Sequence, residues 1–569
     1  MRRTVPTATH AQVPQGAPFR LETSPFRPGT PQAIEVATIG EDKIVDWPVV
    51  YILTGDRDAY VGQTTNAYRR MLQHAKSKRK RRFDQATFIF NDELNTSAAV
   101  DYEHRLIGCL HADGRYRVTN RNNGLEDTNY FSKAEYGEMF EALWQDLRDR
   151  GIAENPLSRI EDSDVFKYSP YKSLTLDQYD ALRRIMEAIK ADDSEKRPIV
   201  IEGTPGTGKT VLAVHLMKML KDDPRYRDLN VKLLEPVTSV RTTLRDSLGT
   251  VAGLRKKDVI SPFDLKNPRY GFVSADVKSI DVLLVDEAHK LKQRKNLGRQ
   301  RKNYRNACDA LGLDADATQL DWALSQAKLA VLFYDPLQAI GPNCITPEQM
   351  SDRLGLATRN PITLTTQMRV KGGREYVRYV MDVLNGRDPE PRDFGDYELV
   401  LHDDFDDFYD SFQDTWERHD LTRMAAGFGW PWVTRPDENP RPGLHFEGHD
   451  FELGHIDLRW NSTNDAWVAL GLEDPFYAHE VGCIHSTQGY DLSYAYVIIA
   501  PDARLDARTG AIACDRVHYY DSTGRDGATQ EELDAFIRNI YYVLLTRGIY
   551  GTHIYVVDPE LRAHLRRYF

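Results

Sequence analysis

Short apolar runs, each closed by a glycine, a proline or a carboxylate, recur along the chain from residue 198 onward. Pro198-Ile199-Val200-Ile201, Val231-Lys232-Leu233-Leu234, Val282-Leu283-Leu284-Val285 and Leu329-Ala330-Val331-Leu332-Phe333 are rich in β-branched residues and too short for helices. They predict buried strands. Val211-Leu212-Ala213-Val214-His215-Leu216-Met217 follows the first run across a glycine-rich turn and predicts a helix. Nearer the N-terminus, Val49-Val50-Tyr51-Ile52-Leu53 and Ala59-Tyr60-Val61-Gly62 flank the turn signal Gly55-Asp56 and predict a hairpin. Ala86-Thr87-Phe88-Ile89-Phe90 predicts a third strand, and helices are expected over 66–76 and 97–110. Between 131 and 151, Phe140, Leu143, Trp144 and Leu147 repeat at three- and four-residue spacing, the mark of a helix with one buried face.

Composition narrows the class. The 569 residues are 41% hydrophobic and 28% charged, as in ordinary globular proteins, with a net charge of −11. That charge excludes a generally basic nucleic-acid coat but leaves room for local basic tracks, at 76–82 and 290–305. No apolar run approaches the ~18 residues that span a bilayer, so no membrane partner is expected. Arg2 and Arg3 are not followed by an apolar core, which argues against a secretory signal. The five cysteines lack any C-x-x-C pair, so neither a zinc ribbon nor a disulfide framework is expected, and the default compartment is a reducing cytoplasm.

The strongest chemical signal is Gly203-Thr204-Pro205-Gly206-Thr207-Gly208-Lys209-Thr210, a complete G-x-x-x-x-G-K-[ST] phosphate loop between a strand and a helix. Its glycines let backbone N–H groups turn toward phosphate oxygens. Lys209 would bridge the β- and γ-phosphates of ATP, and the Thr210 hydroxyl would take a Mg²⁺ position. Asp286 and Glu287 close a later strand. Asp286 would hold the Mg²⁺ water shell and Glu287 would orient or deprotonate the attacking water.

The N-terminal part carries a different set. Phosphodiester hydrolysis needs a hard oxygen ligand for a divalent metal, a proton acceptor, and a cation facing the transition-state charge. Glu103 supplies the ligand, Tyr51 or His74 the acceptor, and Arg70 the cation; one carboxylate suits Mg²⁺, with Mn²⁺ as the alternative. In their order and spacing these residues resemble the GIY-YIG endonuclease family. Its tyrosine triplets correspond to Val49-Val50-Tyr51 and Tyr60-Val61-Gly62, its arginine and histidine to Arg70 and His74, its metal-binding glutamate to Glu103, and its late asparagine to Asn120.

The remainder resembles superfamily-one helicases. Gln178 stands where that group reads the adenine edge. Asp335-Pro336-Leu337-Gln338 resembles motif III, with Gln338 sensing the γ-phosphate, and Arg369 resembles the motif IV arginine. Glu480 to Gly489, including Gln488 and Gly489, resembles motif V; Ile540 to Gly548 resembles motif VI, with Arg547 as arginine finger. The best match is the Schlafen-type helicase-like group. The resemblances imply an α/β multidomain protein: a flexible arm over 1–45, a small α+β GIY-YIG-like nuclease domain over 46–125, a helical connector over 126–172, and two RecA-like P-loop NTPase lobes over 173–390 and 391–569. They imply an ATP-dependent nucleic-acid motor coupled to a nuclease, acting on DNA ahead of RNA. A setting in prokaryotic defence follows by analogy alone. An ATP-gated nuclease that does not unwind, or an RNA-directed one, would use the same residues. Trp430, Trp432, Trp460 and Trp467 are expected to pack the second lobe, with stacking on bases as the alternative role, and His445, His449 and His455 to lie on the surface.

Overall fold

The computed structural model describes residues 19–26, 46–120, 132–191, 197–339, 341–356, 360–419, 421–433, 450–461, 467–468, 479–487 and 491–569. The chain divides into two compact units, Met1–Leu174 with Ser247–Leu254, and Thr175–Asp246 with Arg255–Phe569. No helix among the described residues is long and apolar enough to cross a membrane.

The first unit is built on a five-stranded sheet of β1 (Arg20–Pro25), β2 (Val49–Thr54), β3 (Asp58–Thr64), β4 (Gln85–Phe90) and β5 (Arg117–Val118), in the order β1-β4-β2-β3-β5. The pairings are antiparallel except β3 with β5. The central strand β2 is buried at every position. Asn66 caps the helix Ala67–Lys76, its side chain accepting from the Arg69 amide at 2.8 Å. Asn95 does the same for Thr96–Asp113, which ends on Gly114 at φ 77°.

Two domain expectations need correction here. The arm over 1–45 is not flexible throughout: residues 20–25 form β1, which pairs along its length with β4, and Leu21 and Phe26 are buried. The polar composition around this strand hides its few apolar anchors. The segment 126–172 has the expected helix, Lys133–Asp149, and two short helices besides, Leu157–Asp162 and Asp164–Lys167, but all belong to the first unit. Phe140, Leu143, Trp144 and Leu147 are buried. The Tyr102 hydroxyl donates to the Tyr136 carbonyl at 2.7 Å, and Asp113 accepts from the Asn155 amide at 2.8 Å. A helix face so anchored is part of a core, not a linker.

The second unit contains two parallel sheets. The first comprises β6 (Ile199–Gly203), β7 (Val231–Leu234), β8 (Val259–Ile260), β9 (Ile280–Val285), β10 (Ala327–Tyr334) and β11 (Ile362–Leu364), ordered β11-β6-β10-β9-β7-β8. All its pairings are parallel. β6 and β9, which lead into the phosphate loop and the paired carboxylates, flank β10, so their carboxyl ends converge at one edge. The second sheet has β12 (Glu398–His402), β13 (Thr422–Ala426), β16 (Leu492–Ile499) and β19 (Gly548–Val556), ordered β12-β19-β16-β13 and also parallel. Two small hairpins, β14 (Phe451–Leu453) with β15 (Ile456–Leu458) and β17 (Ala503–Leu505) with β18 (Ile512–Cys514), accompany it.

The lobe boundary moves from 390 to just after β11. The helix Gly373–Leu384 buries Tyr376, Val377, Val380 and Val383 in the core of the second sheet, and the Tyr376 hydroxyl donates to the Leu545 carbonyl at 2.7 Å. The helix's apolar face, not the later proline-rich stretch, decides its allegiance.

Candidate nucleotide site and candidate nuclease site

The phosphate loop begins where β6 ends and closes into the helix Lys209–Asp222. Gly206 and Gly208 take φ values of 82° and 73°. A Cβ on Gly206 would stand 2.0 Å from Gln367 Oε1, and one on Gly208 2.3 Å from Gln178 Nε2, so both the dihedral and the space demand glycine. The Lys209 ammonium is buried and donates to the carbonyls of Gly203 at 2.7 Å and Thr204 at 3.1 Å; Asp335 Oδ2 lies 4.0 Å away. Thr207 folds back on the Thr204 carbonyl through its hydroxyl, at 2.9 Å. Pro205 is held by its carbonyl, which accepts from Gln367 Nε2 at 2.7 Å.

Asp286 is fully buried at the end of β9. Its Oδ1 accepts from the Glu287 amide at 3.0 Å, the Thr210 hydroxyl interacts with the carboxylate, and Oδ2 is buried with no close hydrogen-bond partner among the described residues. Burial, then the neighbouring Glu287 charge, pushes its carboxyl up to about 7. Burial raises Glu287 too, but His289 and Lys209 more than offset it and hold that carboxyl well below its usual range. Glu287 Oε2 is 2.8 Å from His289 Nε2. An orphaned carboxylate oxygen beside a threonine hydroxyl and a lysine is a donor set that fits a hydrated divalent cation.

Gln338 is buried and its Nε2 donates to Asp335 Oδ2 at 2.8 Å; its carbonyl accepts from Lys290 Nζ at 2.8 Å. Arg369 pairs with Asp491, and its Cβ lies beside Gly206. The charges of Arg369 and Arg547 both act on the buried Tyr542 phenol, which also feels Asp335. Arg547 is buried, and its charge also acts on Lys290. Gln488 and Gly489 lie outside the described residues. Gln178 is fully buried; its Oε1 accepts from the Thr175 amide at 3.0 Å, and its Nε2 donates to the Thr207 carbonyl at 2.8 Å. In this arrangement it braces the loop.

Sequence reasoning passed over three residues here. Gln367 ties the loop to the segment that follows β11; it sits two residues before Arg369, and its amide is the available signal. Glu235, after β7, is a third buried carboxyl, raised well above its usual range by burial and by Asp286 and Glu287, with Oε1 accepting from the Val237 amide at 2.6 Å. Lys290, read only as part of a basic run, is a buried ammonium brought down by burial to about 8. The run over 290–305 is not a uniform track: Arg294 pairs with Asp316 and Lys295 with Glu532.

In the first unit, Tyr51 is the hub. Its hydroxyl lies 2.7 Å from His74 Nε2 and accepts from Arg70 Nε at 3.1 Å. Register places Tyr51 opposite Gly62, where a Cβ would stand 2.3 Å from the hydroxyl; the glycine of the second triplet is space for the tyrosine of the first. The Tyr60 ring meets His74 edge-on at 5.5 Å, and the Lys80 ammonium lies over its face. Asn120 clamps the Val61 backbone, accepting from its N–H at 3.0 Å and donating to its carbonyl at 2.8 Å. Asn122 and Asn123, the neighbouring asparagines, lie outside the described residues.

Burial dominates the electrostatics of this site. It raises the Tyr51 phenol. It lowers His74 to about 3, with help from the Lys80 and Arg70 charges, and lowers Lys80 to about 6. It raises Glu103 to about 7, Arg70 opposing. Glu103 has no ion pair among the described residues, and no group of three His, Cys, Asp or Glu side chains among them could hold a metal. A lone buried carboxylate fits one hard cation that keeps most of its waters. Lys80, missed as a site residue, was legible only as charge.

Other candidates resolve plainly. Trp460 and Trp467 are buried in the second core, while Trp430 and Trp432 are partly buried against it. His455 is exposed; His445 and His449 lie outside the described residues. The five cysteines are buried free thiols.

The uncharacterized protein YPL245W of Saccharomyces cerevisiae is 24% identical over 425 residues, 68% of this chain and 87% of that protein. Among solved structures, the Pif1 helicase from Candida albicans is 10% identical, with 69% of this chain and 96% of that chain covered at a TM-score of 0.28. The Pif1 helicase from Bacteroides, in complex with ADP-AlF3 and ssDNA, is 11% identical, with 66% and 91% covered at 0.26. Residues 196–558, most of the second unit and more than half of the chain, match the family model for the Schlafen group 3 DNA/RNA helicase domain. The chain therefore belongs to the Schlafen group 3 helicase family.

Proposed function

We propose that this chain is an ATP-driven nucleic-acid motor joined to a metal-dependent nuclease of GIY-YIG type. The observation that carries the motor reading is the gathering of Lys209, Thr210, Asp286, Glu287, Gln338, Arg369 and Arg547 about one glycine loop, in a chain of the helicase family. Asp286 and Thr210 would hold Mg²⁺, which when bound screens the phosphate charge. Lys209 turns from the loop carbonyls to phosphate oxygens. Glu287, ionised, orients the attacking water or takes its proton. Arg547 meets the charge that develops on the γ-phosphate.

The nuclease reading rests on the Tyr51 hub and lies outside the residues matched by the family model. Glu103 would hold Mg²⁺ or Mn²⁺, which when bound polarises the scissile phosphate. Tyr51 or His74 would take the proton of the attacking water, the two being held together by the hydrogen bond between the Tyr51 hydroxyl and His74 Nε2, and Arg70 would face the phosphate charge. DNA ranks ahead of RNA as substrate.

Two assays on the full chain test the halves separately: ATP turnover with and without single-stranded DNA or RNA, and cleavage with and without Mg²⁺. No ATP turnover under any nucleic-acid condition would sink the motor reading. Cleavage that survives both EDTA and Glu103→Gln would sink the nuclease reading.

A further inference from the structure

Glu235, the residue after β7, is a fully buried carboxyl to which the motor chemistry gives no task. β7 and β9 are parallel neighbours, with Leu234 in register with Val285. One residue further on, Glu235 and Asp286 stand side by side at the carboxyl ends of their strands. The ladder reaches this far: the Asp286 amide donates to the Leu234 carbonyl at 2.9 Å, and the Glu235 amide to the Ile260 carbonyl at 2.9 Å. Aligned residues of neighbouring strands share one face of a sheet, so the two carboxyls do. The charges of Asp286 and Glu287 both act on Glu235.

All but one of the polar atoms of Glu235 are accounted for. Its Oε1 accepts from the Val237 amide at 2.6 Å. Its backbone carbonyl accepts from the Arg241 guanidinium at 2.8 Å. Arg241 gives the same nitrogen to the Pro236 carbonyl at 3.2 Å and a second one to Thr238 Oγ1 at 3.1 Å, so its hydrogen bonds go to the turn and not to the carboxyl. The remaining atom, Oε2, is buried with no hydrogen-bond partner among the described residues. With Oε1 clamped and the side chain fully buried, Oε2 cannot turn out to solvent.

A buried carboxyl oxygen without a donor is costly. The turn does not require it, since a serine or an asparagine can hold the amide two residues on. Asp286 Oδ2, on the neighbouring strand, is buried with no close partner as well. Two such acceptors side by side need a donor with hydrogens for both. Water bound to a divalent cation is that donor: Mg²⁺ keeps several of its waters when it binds protein carboxylates. Thr210 and Asp286 already fit a hydrated cation, so the missing donor belongs with them.

We propose that Glu235 is a positioning residue of the nucleotide site, its Oε2 accepting from a water of the divalent cation that Thr210 and Asp286 hold. The proposal rests on the motor reading above and adds a third carboxyl to the residues that face the cation. Glu235 touches neither nucleotide nor metal. Its effect is therefore confined to the metal-bound state. With the cation present it orients the water shell, as outer partners of metal sites do. Without the cation it contributes only a carboxyl close to where phosphates sit. A proton shared by Glu235 and Asp286 is the competing occupant of the same place, and would give Glu235 no part in binding the cation.

The test is titration of the full chain with a fluorescent, non-hydrolysable ATP analogue, in EDTA and in saturating Mg²⁺. The gain in affinity that Mg²⁺ brings reports on this site and not on the nuclease, because the analogue is held by the phosphate loop. Glu235→Gln keeps the size of the side chain and its bond to the Val237 amide, and turns the free oxygen into a donor. Affinity in EDTA should equal that of wild type or exceed it. The gain from Mg²⁺ should shrink about tenfold, the scale of a lost outer partner at a metal site. Glu235→Asp keeps the charge with a shorter reach and should lose less. If Glu235→Gln melts well below wild type, Glu235→Asp carries the same comparison. An unchanged gain in the variants would overturn the proposal in favour of the shared proton and leave the motor reading intact. Equal losses in EDTA and in Mg²⁺ would also overturn it, since a residue that merely holds the turn acts on both. No binding of the analogue by wild type in either condition would overturn the proposal and the motor reading together.

Discussion

As proposed, the two candidate sites would both hold a phosphate at the moment of attack, and they differ in how burial is offset. Around the phosphate loop burial is partly offset by partners: it raises Asp286 and Glu235 and lowers Lys290, but Glu287 stays ionised. Lys209 rests on carbonyls near Asp335, Glu287 is held ionised near His289, and Asp335 accepts from Gln338. Around Tyr51 the charges are muted: burial leaves His74 neutral, brings Lys80 down and Glu103 up. The difference follows from the scaffold. Strand ends of a parallel sheet, with amide N–H groups and a helix N-terminus aimed at the ligand, tolerate charge because backbone dipoles stabilise it. The face of a small antiparallel sheet offers no such dipoles, and its charge must be supplied by the ligand or the metal. The two sites should therefore break in different ways.

The largest effect is expected in the muted site. Glu103→Gln keeps the shape of a buried side chain and removes its charge, so cleavage should fall at least ~1,000-fold, the scale of losing several kcal/mol of transition-state stabilisation. ATP turnover should be untouched. Parallel loss of both activities would show that the variant disturbs the fold and not the site.

Lys209→Ala comes next. Removing one preorganised cation should lower ATP turnover at least ~100-fold. Cutting of a short single strand, measured in the same preparation, should be unchanged. Loss of cutting on that substrate would mean that the sites are not separable.

Gly62→Ala probes geometry without touching charge. The added methyl would overlap the Tyr51 hydroxyl, forcing it off His74 and Arg70. Cleavage should fall ~10-fold or more, and stability by about 1–3 kcal/mol, the cost of overpacking. A thermal melt alongside the cleavage assay separates the two. Unchanged cleavage would remove Tyr51 from the reaction.

Metal affinity should also depend on pH with a sign set by Glu103. Its carboxyl titrates near 7, above the usual carboxylate range, so the ligand is ionised above that pH and protonated below it. Affinity for Mn²⁺ at this site, followed in a Lys209→Ala background, should weaken ~tenfold for each unit below about pH 7. A flat profile down to about pH 5.5 would mean that Glu103 is not the ligand.

What was legible in the chain divides along the same line. The phosphate loop is contiguous, and its residue types are dictated by backbone geometry, so the glycines Gly206 and Gly208 could be read from the chain itself. Tyr51, the pair Arg70 and His74, and Glu103 come from three elements, β2 and the helices Ala67–Lys76 and Thr96–Asp113, and their juxtaposition was inferred from hairpin register and helix spacing. Hidden features share one cause: they depend on what a segment packs against. Residues 20–25 look like a tail because one strand edge cannot be read without its partner β4. The helix Gly373–Leu384 looks neutral between lobes until its buried face is seen. Asn120 looks catalytic until Val61 is found in its grip.

The smallest effect, and the sharpest use of the contrast, concerns Gln178. Resemblance to superfamily-one helicases makes it a reader of adenine. In the structure its amide is committed to the Thr175 and Thr207 backbones, and a methyl on Gly208 would collide with it. A brace acts on every nucleotide alike, because it orders the loop that holds phosphates. A base reader acts on ATP alone. Losing one buried amide contact is worth about 1 kcal/mol, so Gln178→Ala should weaken nucleotide binding roughly fivefold. The measurement is the ratio of ATP to GTP affinity in wild type and variant, by competition with a fluorescent nucleotide. If Gln178 is a brace, both affinities fall together and the ratio stands. If ATP affinity alone falls until it meets that of GTP, Gln178 leaves its backbone partners when nucleotide binds, and the loop is less preorganised than its hydrogen bonds imply.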